Sequence, residues 1–241
     1  MPAADSAAIA FRGLKKSYGG TPVLRGLDLE VAAGGTFGLV GMNGAGKTTL
    51  IKCLLDFCDV DAGEVRIFGT PGRETRSRGR LAFLPERFVP PYYLTGRDFL
   101  RYMATLYASG YAEAQVAAML GHLDLDAAAL TRPVHAFSKG MTQKLGLAAC
   151  LLSGRDLLVL DEPTSGLDPK ARALLKRQLH AARAAGRTIF LTSHALADVE
   201  ELCDQMAVLH GGELRFLGAP AALREKFGAA TLEAAYLACI E

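Results

Sequence analysis

The stretch Gly41-Met42-Asn43-Gly44-Ala45-Gly46-Lys47-Thr48 decides how the rest of this chain is read. It follows the apolar run 37–40 and leads into a segment of helical character at about 48–57. The spacing is that of a glycine-rich phosphate loop. Glycines let the backbone curl so that successive N–H groups converge on phosphate oxygens, and the helix that follows adds its positive end. Lys47 has the reach to meet β- and γ-phosphates, and the Thr48 hydroxyl can bind Mg²⁺. A chance glycine turn matches such a spacing in roughly one chain in a hundred. Chance does not also supply the strand before it and the helix after it. Gly41, Asn43, Gly44, Ala45, Gly46, Lys47, Thr48 and Thr49 are therefore expected to hold a nucleotide.

Further along, Leu157-Leu158-Val159-Leu160-Asp161-Glu162 sets four apolar residues before two acids. A buried strand that ends in Asp delivers a carboxylate to the carboxyl edge of a sheet, where α/β folds bind ligands. Asp161 is expected to hold Mg²⁺ through its water shell. Glu162 is expected to polarise a water that attacks the γ-phosphate. Taken alone, the two acids read equally well as a solvated pair; the phosphate loop upstream favours the site.

Around these motifs the chain alternates. Residues 9–11, 23–31 and 64–68 are short strand-like runs bounded by glycines, among them Gly19-Gly20 and Gly34-Gly35. From about 95 to 150 the apolar residues recur at helical spacing: Leu100, Met103, Leu106 and Tyr107, then Val116, Met119, Leu120 and Leu123. Strand and helix alternation resumes with a strand at 157–160 and a helix at 170–185 ended by Gly186. A strand at 188–192, a helix at 195–203 and a hairpin at 206–216 follow, the hairpin turning at Gly211-Gly212. Continuous apolar strands between helices imply a parallel sheet covered on both faces. The expected fold is α/β: a RecA-like P-loop NTPase core with a mostly parallel sheet, an N-terminal antiparallel β-subdomain and an inserted α-helical subdomain. Its expected divisions are a core of 1–86 and 155–220, a helical subdomain of 87–154 and a short helical tail of 221–241.

Composition narrows the classes. A net charge of +2 from 27 basic and 25 acidic side chains offers no concentrated basic surface for nucleic acid. The first thirteen residues carry Asp5 and no sustained apolar stretch after a basic start, so they do not read as a secretory leader. Apolar runs such as 145–152 fall short of the roughly 18 residues that span a bilayer. Cys53, Cys58, Cys150, Cys203 and Cys239 form no CxxC pair and read as buried thiols of a reducing compartment.

With the phosphate loop and the Asp161-Glu162 strand in place, the chain resembles the ATP-binding-cassette ATPases over nearly its whole length. Ser138-Lys139-Gly140-Met141, about 20 residues before Asp161, resembles that family's signature loop. The resemblance implies that Ser138 and Gly140 of one subunit cap the γ-phosphate held by another. A Ser at a helix start, with free N–H groups beside it, suits an anion. Ser165-Gly166-Leu167-Asp168 resembles the loop that reaches the partner subunit through Asp168. His194 resembles the histidine that meets the γ-phosphate and orients water, and Tyr18 the aromatic that stacks on adenine. The resemblance thus implies ATP and Mg²⁺, with Lys47, Glu162 and His194 as the catalytic set. It also implies a homodimer or a pair of related chains, an integral-membrane permease as partner, and a place on the cytoplasmic face of the membrane.

The chain departs from the family pattern where Leu84-Pro85-Glu86 puts Glu in place of the usual Gln. The metal role is carried to Glu86, with added negative charge beside the phosphates. The Ser-Lys-Gly-Met form and the ending Thr231 to Leu237 look like exporter branches, those resembling drug, polysaccharide and lantibiotic exporters, so the added regulatory domain many importers carry is not expected. Arg73, Arg76, Arg78 and Arg80 read as a solvated basic face. Phe88, Pro90, Pro91, Tyr92 and Tyr93 read either as packing under the helical insert or as a groove for a membrane partner's helix. Beside the exporter stand an importer motor, a soluble cassette acting on ribosomes or DNA, and a nucleotide-binding regulator without hydrolysis. Presence of both Glu162 and His194 speaks against the last.

Overall fold

The computed structural model describes residues 7–241, so part of the N-terminal stretch read as lacking a leader lies outside the described residues. Strands β1 (Ala7–Tyr18) and β2 (Thr21–Ala32) form a hairpin that turns at Gly19-Gly20, both with positive φ. Leu27, Leu29 and Val31 alternate with exposed residues along β2, the period-two pattern of a sheet with one buried face. Strand β3 (Thr36–Val40) is buried at all five positions and runs into helix α1 (Lys47–Leu54). The helix ends earlier than the expected 57, because Asp56 takes a left-handed φ of 58° and turns the chain. Next come β4 (Ala62–Ile67), β5 (Thr70–Pro71), the single turn α2 (Thr75–Arg78) and β6 (Leu81–Leu84).

The expected helical insert is α3 (Gly96–Tyr107), α4 (Glu113–His122), two 3₁₀ turns (Ala127–Thr131 and Val134–Ala136) and α5 (Lys139–Leu152). Thr95 starts α3 by accepting a hydrogen bond from the Asp98 N–H at 3.1 Å, a side-chain cap of the usual kind. The chain then alternates β7 (Leu157–Asp161), α6 (Pro169–Ala184), β8 (Thr188–Thr192), α7 (Leu196–Leu202), β9 (Gln205–His210) and β10 (Glu213–Gly218). Helices α8 (Pro220–Phe227) and α9 (Leu232–Ile240) close it.

Two sheets result. One is antiparallel, in the order β2-β1-β4-β5; the other runs β10-β9-β3-β8-β7-β6, parallel from β9 to β6 with β10 antiparallel at its edge. The parallel sheet separates two apolar cores, and side-chain alternation along its strands feeds both. Leu157 and Val159 face the antiparallel sheet and α1, together with Phe37, Leu39 and Phe190. Leu158 and Leu160 face the other way, among residues of α3 to α6 such as Leu100, Leu147 and Leu175. Each fully buried Leu removes enough apolar surface from water to contribute about 1.5–3 kcal/mol. No helix among the described residues is long and apolar enough to cross a membrane.

The basic run is largely paired. Arg76 meets Glu74 at 2.5 Å, Arg78 meets Asp56 at 3.3 Å, and Arg80 meets Asp156 at 2.8 Å while lying 3.7 Å over the Phe68 ring. Such exposed pairs are worth little stability, but they cancel the stripe of charge. The aromatic loop splits: Phe88 packs edge-on against Phe99 at 5.6 Å, whereas Tyr92 and Tyr93 stand exposed.

Candidate functional site

Because β3, β6, β7 and β8 run parallel, their carboxyl ends share one edge of the sheet, and four motifs distant in sequence meet there. Leu39 of β3 lies opposite Thr192 of β8, and Thr192 lies opposite Asp161 of β7. The result is an open cleft of about 720 Å³. It is lined by Gly41, Asn43, Gly44, Gly46, Lys47, Thr48, Thr49, Glu86, Asp161, Glu162 and His194, all expected from sequence, together with Val23 and Met42.

The loop that follows β3 is shaped for an anion. Gly46 has φ 110° at the start of α1, and a Cβ there would lie 3.0 Å from Leu24 and 3.2 Å from the Val23 carbonyl. Gly41 is needed for close approach: a Cβ would sit 2.4 Å from the Leu209 carbonyl oxygen. No side chain caps α1, so its first-turn N–H groups have no partner within the helix and face the cleft end. Lys47 is buried and donates to the Gly41 carbonyl at 2.5 Å and the Met42 carbonyl at 3.3 Å, which ties its ammonium to the loop. Free amides, a helix N-terminus and a caged cation together fit a polyphosphate.

On the facing side, the Thr192 hydroxyl donates to Asp161 Oδ1 at 2.6 Å and accepts the Glu162 N–H at 3.0 Å. Burial, followed by the nearby Glu86 and Glu162 carboxylates, raises the Asp161 pKa against the pull of Thr192 and Lys47. One oxygen of Asp161 is left without a protein donor and Glu86 lines the same cleft, acceptors of the kind a divalent cation shares with phosphate oxygens. No group of three or more His, Cys, Asp or Glu among the described residues makes a cation cage by itself.

Glu162 adopts φ 50°, a left-handed conformation unusual for a side chain with a Cβ. Its carboxylate lies against His194, whose Nδ1 is 2.8 Å from Glu162 Oε2. The His194 N–H donates to the same oxygen at 3.3 Å. The acid is buried and the imidazole side chain is 71% exposed, so the pair has one anchored and one accessible member.

Other expected residues lie elsewhere. Ala45 is buried behind the loop, where its methyl packs in the core of the antiparallel side. Tyr18 does not line the cleft; it stands half-exposed at the end of β1, with Lys16 Nζ 5.1 Å from its ring centre. Its hydroxyl sits beside Cys58 and Thr49, and the Cys58 contact and burial push its pKa up. Ser138 and Asp168 are outside the cleft as well. Ser138 caps α5 through the Met141 N–H at 3.2 Å, and Asp168 caps α6 through the Ala171 N–H at 2.9 Å. Their loops touch each other: a Cβ on Gly140 would lie 3.5 Å from the Gly166 carbonyl. Glu86 lines both the nucleotide cleft and a second groove with Phe88, Phe137 and Lys139.

Sequence reading passed over Thr192 and Gln143. Thr192 looked like a strand terminus, and the only signal was its place two residues before His194. Gln143, buried on α5, donates to the Pro163 carbonyl at 3.2 Å and so ties the helix behind Ser138 to the loop after Glu162. Its position one turn into a helix of mixed character carried no signal of that contact.

Comparison with known proteins agrees with the geometry. The family described as ABC transporter matches residues 24–165. The Nod factor export ATP-binding protein I of Paraburkholderia xenovorans is 39% identical over 221 residues, covering 90% of this chain and 72% of that protein. Its namesake in Rhizobium meliloti is 38% identical over 239 residues, covering 96% and 70%. An uncharacterised ABC transporter ATP-binding protein of Synechocystis is 39% identical over 194 residues, and there the match spans only 55% of the relative's length. A solved ATP binding subunit of an ABC transporter superposes with a TM-score of 0.88 at 31% identity, covering 96% of this chain and 99% of that one. A bacterial Atm1-family ABC exporter with ATP bound gives 0.82 at 23% identity over 98% of this chain and 42% of its own, a likeness of fold alone. The chain therefore belongs to the ABC transporter family and is one of its ATP-binding ATPase chains.

Proposed function

We propose that this ATPase drives export through a separate integral-membrane permease, bound peripherally at the cytoplasmic face. The observation that carries the catalytic part is the convergence of Lys47, Thr48, Asp161, Glu162 and His194 on one cleft from separate segments of the chain. Likeness to two proteins named for Nod factor export supports the outward direction.

In this reading the N–H groups of residues 44–49 and Lys47 bind the β- and γ-phosphates, while Thr48, Asp161 and Glu86 hold Mg²⁺. Bound there, Mg²⁺ would offset charge on the phosphate oxygens. Glu162 accepts a proton from the attacking water as it adds to the γ-phosphorus, and His194 keeps that carboxylate turned toward the phosphate. Tyr18 offers its free ring face to the adenine. Ser138, Gly140 and Asp168 lie outside the cleft of their own chain and serve the cleft of a second copy, in a homodimer or a pair with a related chain. ATP would thus close the two chains on each other and hydrolysis release them. Residues 87–154 transmit the movement as a subdomain against the core of 1–86 and 155–220, with 221–241 as a tail.

Purification of the chain from detergent-solubilised membranes of its host tests this. A multispanning protein that copurifies and stimulates ATP hydrolysis is the expected result. Recovery with ribosomes or DNA would replace the transport reading with a soluble one, and a partner that imports solute would reverse the direction.

A further inference from the structure

Cys53 and Cys58 lie five residues apart, and the turn after α1 brings their sulfurs within 3.7 Å of each other. The turn is made by Asp56 at φ 58° and closed by the Phe57 N–H bonding the Lys52 carbonyl at 2.8 Å. The two thiols differ in setting. Cys53 is buried on α1, four residues beyond Thr49 on the same helical face, and burial followed by Cys58 pushes its pKa up to about 12. Cys58 is half-buried and shares with Cys53 the wall of a cleft of about 400 Å³ that opens to solvent. Beside this pair stands Tyr18, whose hydroxyl is held protonated chiefly by the neighbouring Cys58. Four side chains thus link the helix of the phosphate loop, the turn after it and the aromatic at the cleft's rim.

We propose that Cys53 and Cys58 are an oxidation site whose disulfide releases Tyr18 from its position and weakens ATP binding, an effect that rests on the reading of Tyr18 as the adenine contact. The oxidant is a hydroperoxide. With hydrogen peroxide, the half-buried Cys58 thiol gives its proton to solvent and its sulfur attacks one peroxide oxygen; the O–O bond breaks, a sulfenic acid forms, and the hydroxide released takes up a proton as water. The Cys53 sulfur then attacks Cys58 Sγ; the S–S bond forms, the S–OH bond breaks, and water leaves with the proton from Cys53. Two thiols lose two electrons in all, and the peroxide takes them. Bringing the sulfurs from 3.7 Å to a bonded distance of about 2.05 Å draws the turn toward α1 and carries Cys58 Sγ away from the Tyr18 hydroxyl. A dithiol so near contact needs a short movement to close, unlike Cys150 and Cys203, which lie buried on α5 and at the end of α7.

The test uses the full chain, reduced or treated with hydrogen peroxide, as wild type, Cys58→Ser and Tyr18→Ala. Peptide mass reads the cross-link and equilibrium titration reads ATP affinity. Expected results are a Cys53–Cys58 linked peptide in oxidised wild type and a loss of ATP affinity of roughly fivefold or more, in line with the worth of one aromatic stacked on a base. Dithiothreitol restores the affinity, and Cys58→Ser, whose hydroxyl can keep the Tyr18 contact, holds its affinity under peroxide. Higher oxides of Cys58 without a link overturn the proposal. So does a link that leaves ATP affinity unchanged while reduced Tyr18→Ala binds weakly, which sinks the switch alone. Wild-type affinity in reduced Tyr18→Ala would instead overturn the adenine role of Tyr18, and the switch with it.

Discussion

His194 Nδ1 lies 2.8 Å from Glu162 Oε2, and the main-chain N–H of His194 reaches the same oxygen at 3.3 Å. The main-chain donor and the imidazole beside it thus lie against one oxygen of a buried carboxylate. The carboxylate belongs to a residue in a left-handed conformation. Glu162→Gln keeps the shape and loses the proton acceptor. We expect ATP binding to persist, turnover to fall by about 10²–10⁴, and ATP to hold the chain as a stable dimer. Turnover by phosphate release and size by light scattering check this, and wild-type turnover would remove Glu162 from the role of base. His194→Ala should lower turnover with little change in melting temperature, since its ring is mostly exposed.

Thr192 joins the two acids through one hydroxyl. Thr192→Val keeps the volume but leaves the buried Glu162 N–H without its acceptor and Asp161 without its donor. Each orphaned group costs about 1–3 kcal/mol. Denaturant midpoints should fall accordingly, and the Mg²⁺ concentration needed for half-maximal ATP binding should rise. Thr192→Ser should return the Mg²⁺ dependence to wild type even though it lacks the methyl group. Equal Mg²⁺ dependence in all three would reduce Thr192 to a packing residue.

Lys47 is caged by two carbonyls of its own loop. Lys47→Ala removes both the cation proposed to meet the phosphates and the post that ties the loop's carbonyls. ATP affinity should drop on the order of tenfold or more, measured by titration, with the far-ultraviolet circular dichroism unchanged. Retained affinity would move the phosphate contact elsewhere.

Lys176 on α6 meets Asp198 at 2.8 Å and Glu201 at 2.5 Å on α7, the helix that follows the His194 loop. Burial lowers the Lys176 pKa, but its hydrogen bonds to the two carboxylates more than offset that and leave it above its ordinary 10.5. A raised lysine pKa stabilises the fold fully below the unfolded value and loses that contribution as pH climbs through the folded one. Stability should therefore hold to about pH 10.5 and fall beyond it. Lys176→Met should cost roughly 1–3 kcal/mol at neutral pH and flatten the alkaline fall. An identical alkaline profile in the variant would show that another group titrates there.

Much was legible in the sequence because it rests on local constraint. Residues 41–48 needed glycines for the turn and a lysine for the charge, and a buried parallel strand needs an unbroken apolar run, as Leu157 to Leu160 provides. Those requirements act within a few residues, so composition and spacing record them. They determined the α/β class, the glycine-rich turn between β3 and α1, the acids at the strand end and the helical character of 95–150. What tertiary structure alone decided is which distant residues meet. Thr192 acquires its place because parallel register sets it opposite Asp161, thirty-one residues away, and no local preference for Thr encodes that pairing. Tyr18 stands at the rim outside the cleft, Ser138 and Asp168 cap helices away from it, and two cysteines without a recognisable motif come into contact through a left-handed Asp56. Such contacts depend on how elements pack, and packing is a property of the whole chain's apolar surface, which spacing along one segment does not carry.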